Sequence, residues 1–361
     1  MCGSFTGDWV ELPALLFVLC SNNGTGPIML RTLLLSALAL AFASCNSSDI
    51  KEAINIADGV PRKTIDTDIL GVNAFANDGR FGSASAQFSE VRSTLRLRFV
   101  RVLIQWDSNV QPSPGDAPNF GFYDSLINAL PGGIDALLIL NGTPAWMGDS
   151  ANWIGGDPRR TFVEKWVAPV VSRYGGNGRV IGFQVGNEPN QNNRDNQNLG
   201  LVSDAAAYVD LLKMSHAVIE SIAPAKLVVT AATTAINQNF PASLDYNRAM
   251  RDAGAQDYAD IWAIHYYGKQ YENLIRPGGV RDFANGLSKP IWVTESGAQG
   301  VNKQLAYGEE VWPYLREKIP GIQRIYQYQF TEATPPESTY GLRNLSADTA
   351  LSDLYIWLRD R

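Results

Sequence analysis

Past residue 64 the chain alternates between short apolar runs and longer stretches in which apolar residues recur every three or four positions. The runs at 69–75, 99–104, 136–140, 180–185, 227–230, 261–264, 291–293 and 324–328 are short, and most are rich in β-branched residues. Apolar runs of that length, with little polar alternation, read as parallel strands buried on both faces. Helical patterns fall between them, at 85–98, 161–174, 204–222, 244–253, 304–318 and 347–359. The clearest, 204–222, puts Tyr208, Leu211, Leu212, Ser215, Val218, Ile219 and Ile222 on one face, with Ser203 as its expected N-cap and Pro224 after its end. Eight strands alternating with helices in one uninterrupted stretch predict an α/β fold of the (β/α)8 TIM-barrel class, built as a single domain. The rival, a doubly wound open sheet, places a Gly-rich phosphate loop after its first strand, and Gly71-Val72-Asn73 is not such a loop.

The chain begins on a different pattern. Residues 33–44 (LLLSALALAFAS) form a largely apolar stretch just behind Arg31, too short to span a bilayer comfortably and of the length of a signal-peptide core. The stretch ends in Phe42-Ala43-Ser44-Cys45, which resembles a bacterial lipobox, where cleavage before the cysteine is followed by lipidation of its thiol. On that resemblance residues 1–45 are an N-terminal extension and lipoprotein-type signal peptide, with Met29 a natural start. Cys45 is then the lipid attachment site, residues 46–63 are a polar tether, and 64–361 are the (β/α)8 domain. The implied location is the bacterial cell envelope, with a lipid on Cys45 as the sole membrane contact. An ordinary secretory signal with a chance cysteine is the competing reading.

Composition narrows the chemistry. The other two cysteines, Cys2 and Cys20, precede the expected cleavage point, so the mature chain has no pair for a disulfide. A net charge of −6 and the absence of any basic run argue against a nucleic-acid partner. Two histidines, His216 and His265, leave little material for a zinc site, and neither a metal nor another cofactor is expected. Nine tryptophans and fourteen tyrosines serve either core packing or the flat faces on which sugar rings stack.

Two segments carry the chemistry, Val185-Gly186-Asn187-Glu188-Pro189-Asn190 and Trp292-Val293-Thr294-Glu295-Ser296-Gly297. Each puts a glutamate where an apolar run gives way to a loop, the place at which barrel enzymes carry their catalytic groups. The two lie 107 positions apart, so only a closed fold brings them together. Two carboxyl groups on one pocket, one protonated and one ionised, suffice to cleave a glycosidic bond.

In this register, after the fourth and seventh strands, Gly-Asn-Glu-Pro-Asn at 186–190 and Thr-Glu-Ser-Gly at 294–297 resemble the acid/base and nucleophile motifs of clan A glycoside hydrolases. The likeness covers roughly residues 66–358 and is nearest to families 39 and 5. Phe99-Val100-Arg101-Val102 through Trp106 resembles their second βα unit, Thr143-Pro144-Ala145-Trp146 resembles family 39 after strand three, and His265-Tyr266-Tyr267 the sixth strand of both. The resemblance implies a retaining hydrolase of β-linked oligo- or polysaccharide, with Glu188 as acid/base and Glu295 as nucleophile. It further implies that Arg101 keeps Glu295 ionised, Tyr267 donates to Glu295, Asn187 bonds the sugar 2-hydroxyl and His265 contacts sugar hydroxyls. Trp106 and Trp146 are candidate stacking platforms, the latter the better placed. His216 matches no motif and is read as structural.

One departure concerns the stretch after strand eight, where many clan members carry a tryptophan beneath the reacting sugar. Here the run is Tyr326-Gln327-Tyr328-Gln329-Phe330, so that either Tyr328 or Gln329 substitutes for it or the subsite itself differs. Two other functions share these residues: a carbohydrate-binding lipoprotein without turnover, and a transglycosylase.

Overall fold

The computed structural model describes residues 59–191, 201–202, 204–346 and 350–361. All eight anticipated strands form: β1 (Leu70–Asn73), β2 (Phe99–Gln105), β3 (Asp135–Asn141), β4 (Val180–Val185), β5 (Leu227–Val229), β6 (Trp262–Tyr267), β7 (Ile291–Gly297) and β8 (Ile322–Gln327). They pair in parallel in the order β5-β4-β3-β2-β1-β8-β7-β6. A parallel bridge from Val229 to Ile261 joins the two ends of that order. The result is the (β/α)8 barrel that the alternating pattern predicts.

Two apolar clusters follow from this closure. Inside the barrel lie Phe99, Leu137, Val229, Ala263, Trp292 and Tyr326, while the outward-facing strand residues merge with the helices into a larger cluster. Gly71 is required by this filling, because a Cβ there would stand 2.7 Å from the Tyr326 ring and 2.9 Å from Phe99 Cβ. The guanidinium of Arg324 lies between the Phe99 and Trp292 rings, 4.0 Å from each centroid, a pair of cation–π contacts.

The helices are α1 (Ala84–Ser89), α2 (Gly121–Asn128), α3 (Pro158–Phe162), α4 (Ala168–Tyr174), α5 (Ala205–Ile222), α6 (Ala242–Asp252), α7 (Tyr271–Ile275), α8 (Val280–Asn285), α9 (Gln304–Lys318) and α10 (Asp353–Asp360). Of these, α2, α7 and α8 went unread in the sequence, being too short to establish a helical period. The expected helix at 161–174 is α3 and α4 joined by a widened turn over Val163–Val167, in which Ala168 N–H donates to the Val163 carbonyl. Pro169 follows and has no N–H to continue the ladder, which accounts for the irregularity. The N-cap of α5 is Asp204, whose side chain accepts from Ala207 N–H (2.8 Å), in place of Ser203. Ile222, placed on its buried face by periodicity, is exposed at 41%. The C-terminal helix is shorter than 347–359 suggested, because Leu351 pairs with Arg343 and Ser352 caps α10.

Helix α9 contains Pro313, which leaves the Glu309 carbonyl without its usual partner. Lys63 N–H fills that vacancy at 2.9 Å, and the Lys63 side chain pairs with Glu317 at 2.6 Å. The part of the expected tether that is described thus ends against α9. Cys45 and the signal segment lie outside the described residues, as do residues 192–198 of the stretch 190–198, whose many amide side chains suit a hydroxyl-rich ligand or a plain polar loop equally well. Among the described residues no helix is long and apolar enough to cross a membrane.

Candidate active site

Strand alternation decides which side chains enter the barrel. On β2, Phe99 faces inward, and so two residues later does Arg101; on β6, Ala263, His265 and Tyr267 share the inner face while Tyr266 faces out. By the same count β1 contributes Asn73 and β4 contributes Gln184. These side chains, all buried except at the Tyr267 end, form a polar layer above the apolar filling.

Glu295 joins that layer by an irregularity. Along β7, Ile264 pairs with Val293 but His265 pairs with Glu295, and towards β8 the register also slips between Val293 and Ser296. Thr294 is therefore an extra residue, a bulge that reverses the alternation. Trp292 and Glu295 both face in, while Ser296 faces out, where its hydroxyl lies 3.0 Å from Tyr307 Oη and accepts from Trp312 Nε1 (3.0 Å). Glu295 thus stands within the strand, where sequence had placed it beyond the strand's end.

Glu188 arrives differently. It follows β4 by three residues and has φ of +44°, left-handed backbone in a non-glycine residue that precedes a proline. Strain of that kind costs of order 1–3 kcal/mol and persists only where neighbours enforce it. Here Glu188 N–H donates to the Ala232 carbonyl at 2.8 Å.

The buried Arg101 organises the layer with four hydrogen bonds. Its Nη1 donates to Glu295 Oε1 (2.6 Å) and Asn73 Oδ1 (2.8 Å), its Nε to Gln184 Oε1 (2.7 Å), and its Nη2 to Asn187 Oδ1 (2.7 Å). Because Asn187 turns its oxygen to Arg101, its Nδ2 is left pointing elsewhere, with no protein acceptor among the described residues. Tyr267 Oη donates to Glu295 Oε2 at 2.9 Å. His265 has Nδ1 2.9 Å from Glu188 Oε1 and Nε2 3.4 Å from Glu295 Oε1, the second contact lacking hydrogen-bond geometry. Gln191 Nε2 also donates to Glu188.

These contacts give the two carboxyls different surroundings. Burial alone pushes the Glu295 carboxyl up, but the electrostatic influence of the adjoining His265, the Arg101 guanidinium and the Tyr267 hydrogen bond outweigh it and hold the group below the usual carboxyl range. Burial and the adjacent Glu295 push the Tyr267 phenol well above its ordinary range, so it remains a donor. An oxygen of Glu188 and an oxygen of Glu295 lie within 4.8 Å of each other, and a His265 nitrogen lies within the same distance of both. This Glu-His-Glu trio has ligand atoms spaced as a metal site requires, but Arg101 Nη1 already occupies Glu295 Oε1 with a positive charge. A cation there would meet that charge directly.

Placement of the other candidates is mixed. Trp106, proposed as a platform, is fully buried, stacked on Trp166 at 6.0 Å and bonded through Nε1 to Gln111 Oε1 (2.8 Å). It is a core residue, because its strand end is roofed by Phe162 of α3 and Trp166 of the turn that follows. His265, expected to contact sugar hydroxyls, is likewise fully buried and faces the two glutamates instead. Trp146 stays half-exposed at the rim, its ring edge-on to Trp106 at 5.3 Å. His216 packs edge-on to Tyr258 on the outside of the barrel.

After β8, Tyr328 stands among Phe75, Tyr267 and Tyr340, with ring centroids 6.1, 6.3 and 5.9 Å away, all roughly edge to face. Gln329 is half-buried beside it, joined to Tyr328 by a cis peptide. Sequence reasoning missed Asn73, Gln184 and Tyr340. The first two were detectable as lone polar residues at inward positions of apolar strands; Tyr340 comes from a loop with no pattern to reveal it.

An eight-stranded parallel barrel with two facing glutamates after β4 and on β7 defines the class as a glycoside hydrolase barrel. Residues 64–328 match the model of the cellulase family, glycosyl hydrolase family 5, and the chain belongs to that family. No curated protein matches the chain in sequence. Among solved structures it is similar to a family 39 glycoside hydrolase from Bacteroides cellulosilyticus WH2, at 18% identity over 83% of this chain and 64% of that one, TM-score 0.57. It is similar too to a monomeric β-xylosidase from Caulobacter crescentus CB15, at 18% identity over 83% and 69% of the two chains, TM-score 0.57. An endo-1,4-β-mannanase from Rhizomucor miehei aligns at 15% identity over 84% and 99%, TM-score 0.53. At these identities the likeness is one of fold, and the chain spans under two-thirds of the family 39 enzyme's length.

Proposed function

We propose that this protein is a retaining β-glycoside hydrolase acting on oligo- or polysaccharide, with Glu295 as nucleophile and Glu188 as acid/base. The observation that carries the reading is the approach of the two carboxyls to within 4.8 Å. Retaining enzymes hold the pair about 5–5.5 Å apart, whereas inverting enzymes leave about 6.5–9.5 Å for a water between them. The contrasting partners of the two groups support the division of labour. Glu295, ionised beside Arg101 and Tyr267, attacks the anomeric carbon while the bond to the leaving oxygen breaks, and Glu188 gives that oxygen its proton. In the second step Glu188 takes a proton from water, the hydroxyl attacks the same carbon, and Glu295 is released.

Asn187, its oxygen fixed on Arg101, presents Nδ2 to the sugar 2-hydroxyl, a contact that strengthens as charge develops on the ring. Tyr328 and Trp146 supply the aromatic walls of the sugar site. The xylosidase and mannanase among the structural neighbours favour a β-linked substrate. Cys45 is proposed as a lipid anchor at the cell envelope on the strength of the apolar run before it. Loss of metabolic palmitate labelling in Cys45→Ala is the expected result, and unchanged labelling would refute the anchor.

Glu188→Ala should lose hydrolysis of natural glycans while keeping activated aryl glycosides, with azide partly restoring the rate. Unchanged hydrolysis of the natural substrate would refute the acid/base assignment. A 2-fluoro sugar should trap Glu295, and a label on any other residue would refute the nucleophile.

A further inference from the structure

The second asparagine of the 186–190 motif takes no part in the chemistry described above, yet the protein engages its side chain on both sides. Asn190 Oδ1 accepts from Thr234 N–H (2.9 Å), and Nδ2 donates to Thr234 Oγ1 (2.8 Å) and Ser243 Oγ (3.3 Å). The two hydroxyls lie 2.8 Å apart. Both amide hydrogens are spent on the protein, so this asparagine, unlike Asn187, presents none to a sugar.

Its partners are themselves fixed. Ser243 lies in the first turn of α6, where its carbonyl accepts from Asn247 Nδ2 (2.8 Å); the same nitrogen donates to Thr233 Oγ1 (2.8 Å). Asn247 Oδ1 in turn accepts from Trp262 Nε1 of β6 at 3.1 Å. Thr233, Ser243, Asn247 and Trp262 are all fully buried. Asn190 is therefore the outermost member of a polar network rooted in α6 and β6.

The spacing shows what this network holds. Glu188 N–H donates to the Ala232 carbonyl (2.8 Å), and two residues further along each segment Asn190 meets Thr234. Between the two contacts stands Pro189, which has no N–H to hold the chain. The left-handed Glu188 backbone, at φ +44°, is thus clamped upstream by its own N–H and downstream by the Asn190 side chain, with Gln191 N–H closing the turn on the Glu188 carbonyl (3.0 Å). A residue before proline relaxes toward extended backbone. Released at residue 190, Glu188 would swing that way and take its carboxyl out of the 4.8 Å approach to Glu295. We infer that Asn190 is a positioning residue for the acid/base, holding Glu188 in the one backbone conformation from which it serves the leaving group. This rests on the glycosidase reading above.

The experiment measures kcat/KM on a series of aryl β-glycosides of whichever sugar the wild-type protein turns over, with 2,4-dinitrophenol, p-nitrophenol and phenol as leaving groups. Phenol needs a proton to depart and 2,4-dinitrophenol does not, so only the first depends on a well-placed acid. Asn190→Ala should lower kcat/KM on the phenyl glycoside by about tenfold or more, the scale of a displaced catalytic group, and on the dinitrophenyl glycoside by less than about twofold. Thr234→Val, which removes the hydroxyl and keeps the N–H, should show the same selectivity at about threefold, and Thr234→Ser should restore wild-type rates. If Asn190→Ala lowers Tm too far to assay, the Thr234→Val and Thr234→Ser pair decides by the same criterion. A loss that is uniform along the series, or no loss, while Glu188→Ala remains selective for poor leaving groups, overturns the role of Asn190 and leaves the glycosidase reading intact. No selectivity in Glu188→Ala, or no turnover of any glycoside or natural glycan, refutes the acid/base reading, and the positioning role with it.

Discussion

Replacing Arg101 with lysine separates the geometry of its guanidinium from its charge. The four acceptors approach Arg101 at three different nitrogens, with Glu295 and Asn73 at Nη1, Gln184 at Nε and Asn187 at Nη2. Lysine offers three donors on one atom. A lysine that keeps the 2.6 Å contact to Glu295 retains the charge there but abandons the amide oxygens of Gln184 and Asn187. Each buried acceptor left without a donor costs roughly 1–3 kcal/mol, so the loss should be about 2–6 kcal/mol. That is a large part of the roughly 5–15 kcal/mol that holds a typical domain together, yet short of unfolding it. Urea unfolding should show a lower midpoint with an unchanged slope, the mark of a change in stability rather than in compactness. Because Asn187 is no longer fixed, kcat should fall more than KM rises, since its sugar contact matters most in the transition state. A loss below about 1 kcal/mol with unaltered kcat would refute the account of Arg101 as the organiser of this layer.

Tyr267→Phe removes one of the groups that hold the Glu295 carboxyl below its usual range. A carboxyl depressed in the folded state contributes stability above its unfolded pKa and loses it as pH falls through the folded value. Without the phenol the folded value rises, so the acidic limb of kcat/KM should move to higher pH; a limb that stays in place contradicts the hydrogen bond. Trp106→Ala should destabilise by about 3–5 kcal/mol, the loss expected for a large buried aromatic, with KM for short glycosides unchanged. A raised KM at intact stability would restore Trp106 as a sugar platform. Gly182→Ala brings a Cβ to 2.5 Å from the Leu227 carbonyl across the β4–β5 seam, where backbone cannot yield. Thermal unfolding should show a loss of about 1–3 kcal/mol, and a neutral result would mean that the seam is looser than drawn.

Most of the barrel was legible because buried parallel strands announce themselves as apolar runs, and all eight fell where those runs lie. The short helices were not, since α7 and α8 hold too few turns for periodicity to register. At the site, the motif around Glu188 and the alternation of His265 with Tyr267 could be read directly. The bulge at Thr294 could not, for the apolar run stops at Val293 and nothing marks Thr294 as supernumerary. Reading straight alternation from Trp292 would have sent Glu295 outward, and only its motif suggested otherwise. Trp106 failed for a different reason: whether a strand-end tryptophan is roofed depends on helices distant in sequence. Asn73 and Gln184 were within reach, since each keeps the inward parity of its strand, but their importance emerges only from Arg101.

The site therefore occupies the part of the barrel where local rules are broken. The lower interior is apolar and close-packed, with Gly71 and Gly182 admitting their neighbours at contact distance. Above it lies a layer of amides, a guanidinium and carboxyls that an ordinary core would exclude. That layer draws from β1, β2, β4, β6 and β7 at once, so its hydrogen bonds exist only when the sheet has closed. Glu188, strained before Pro189, likewise depends on the Ala232 carbonyl that follows β5. With no single strand or loop able to hold these groups alone, the apolar lower barrel is what keeps two carboxyls within 4.8 Å and chemically unlike.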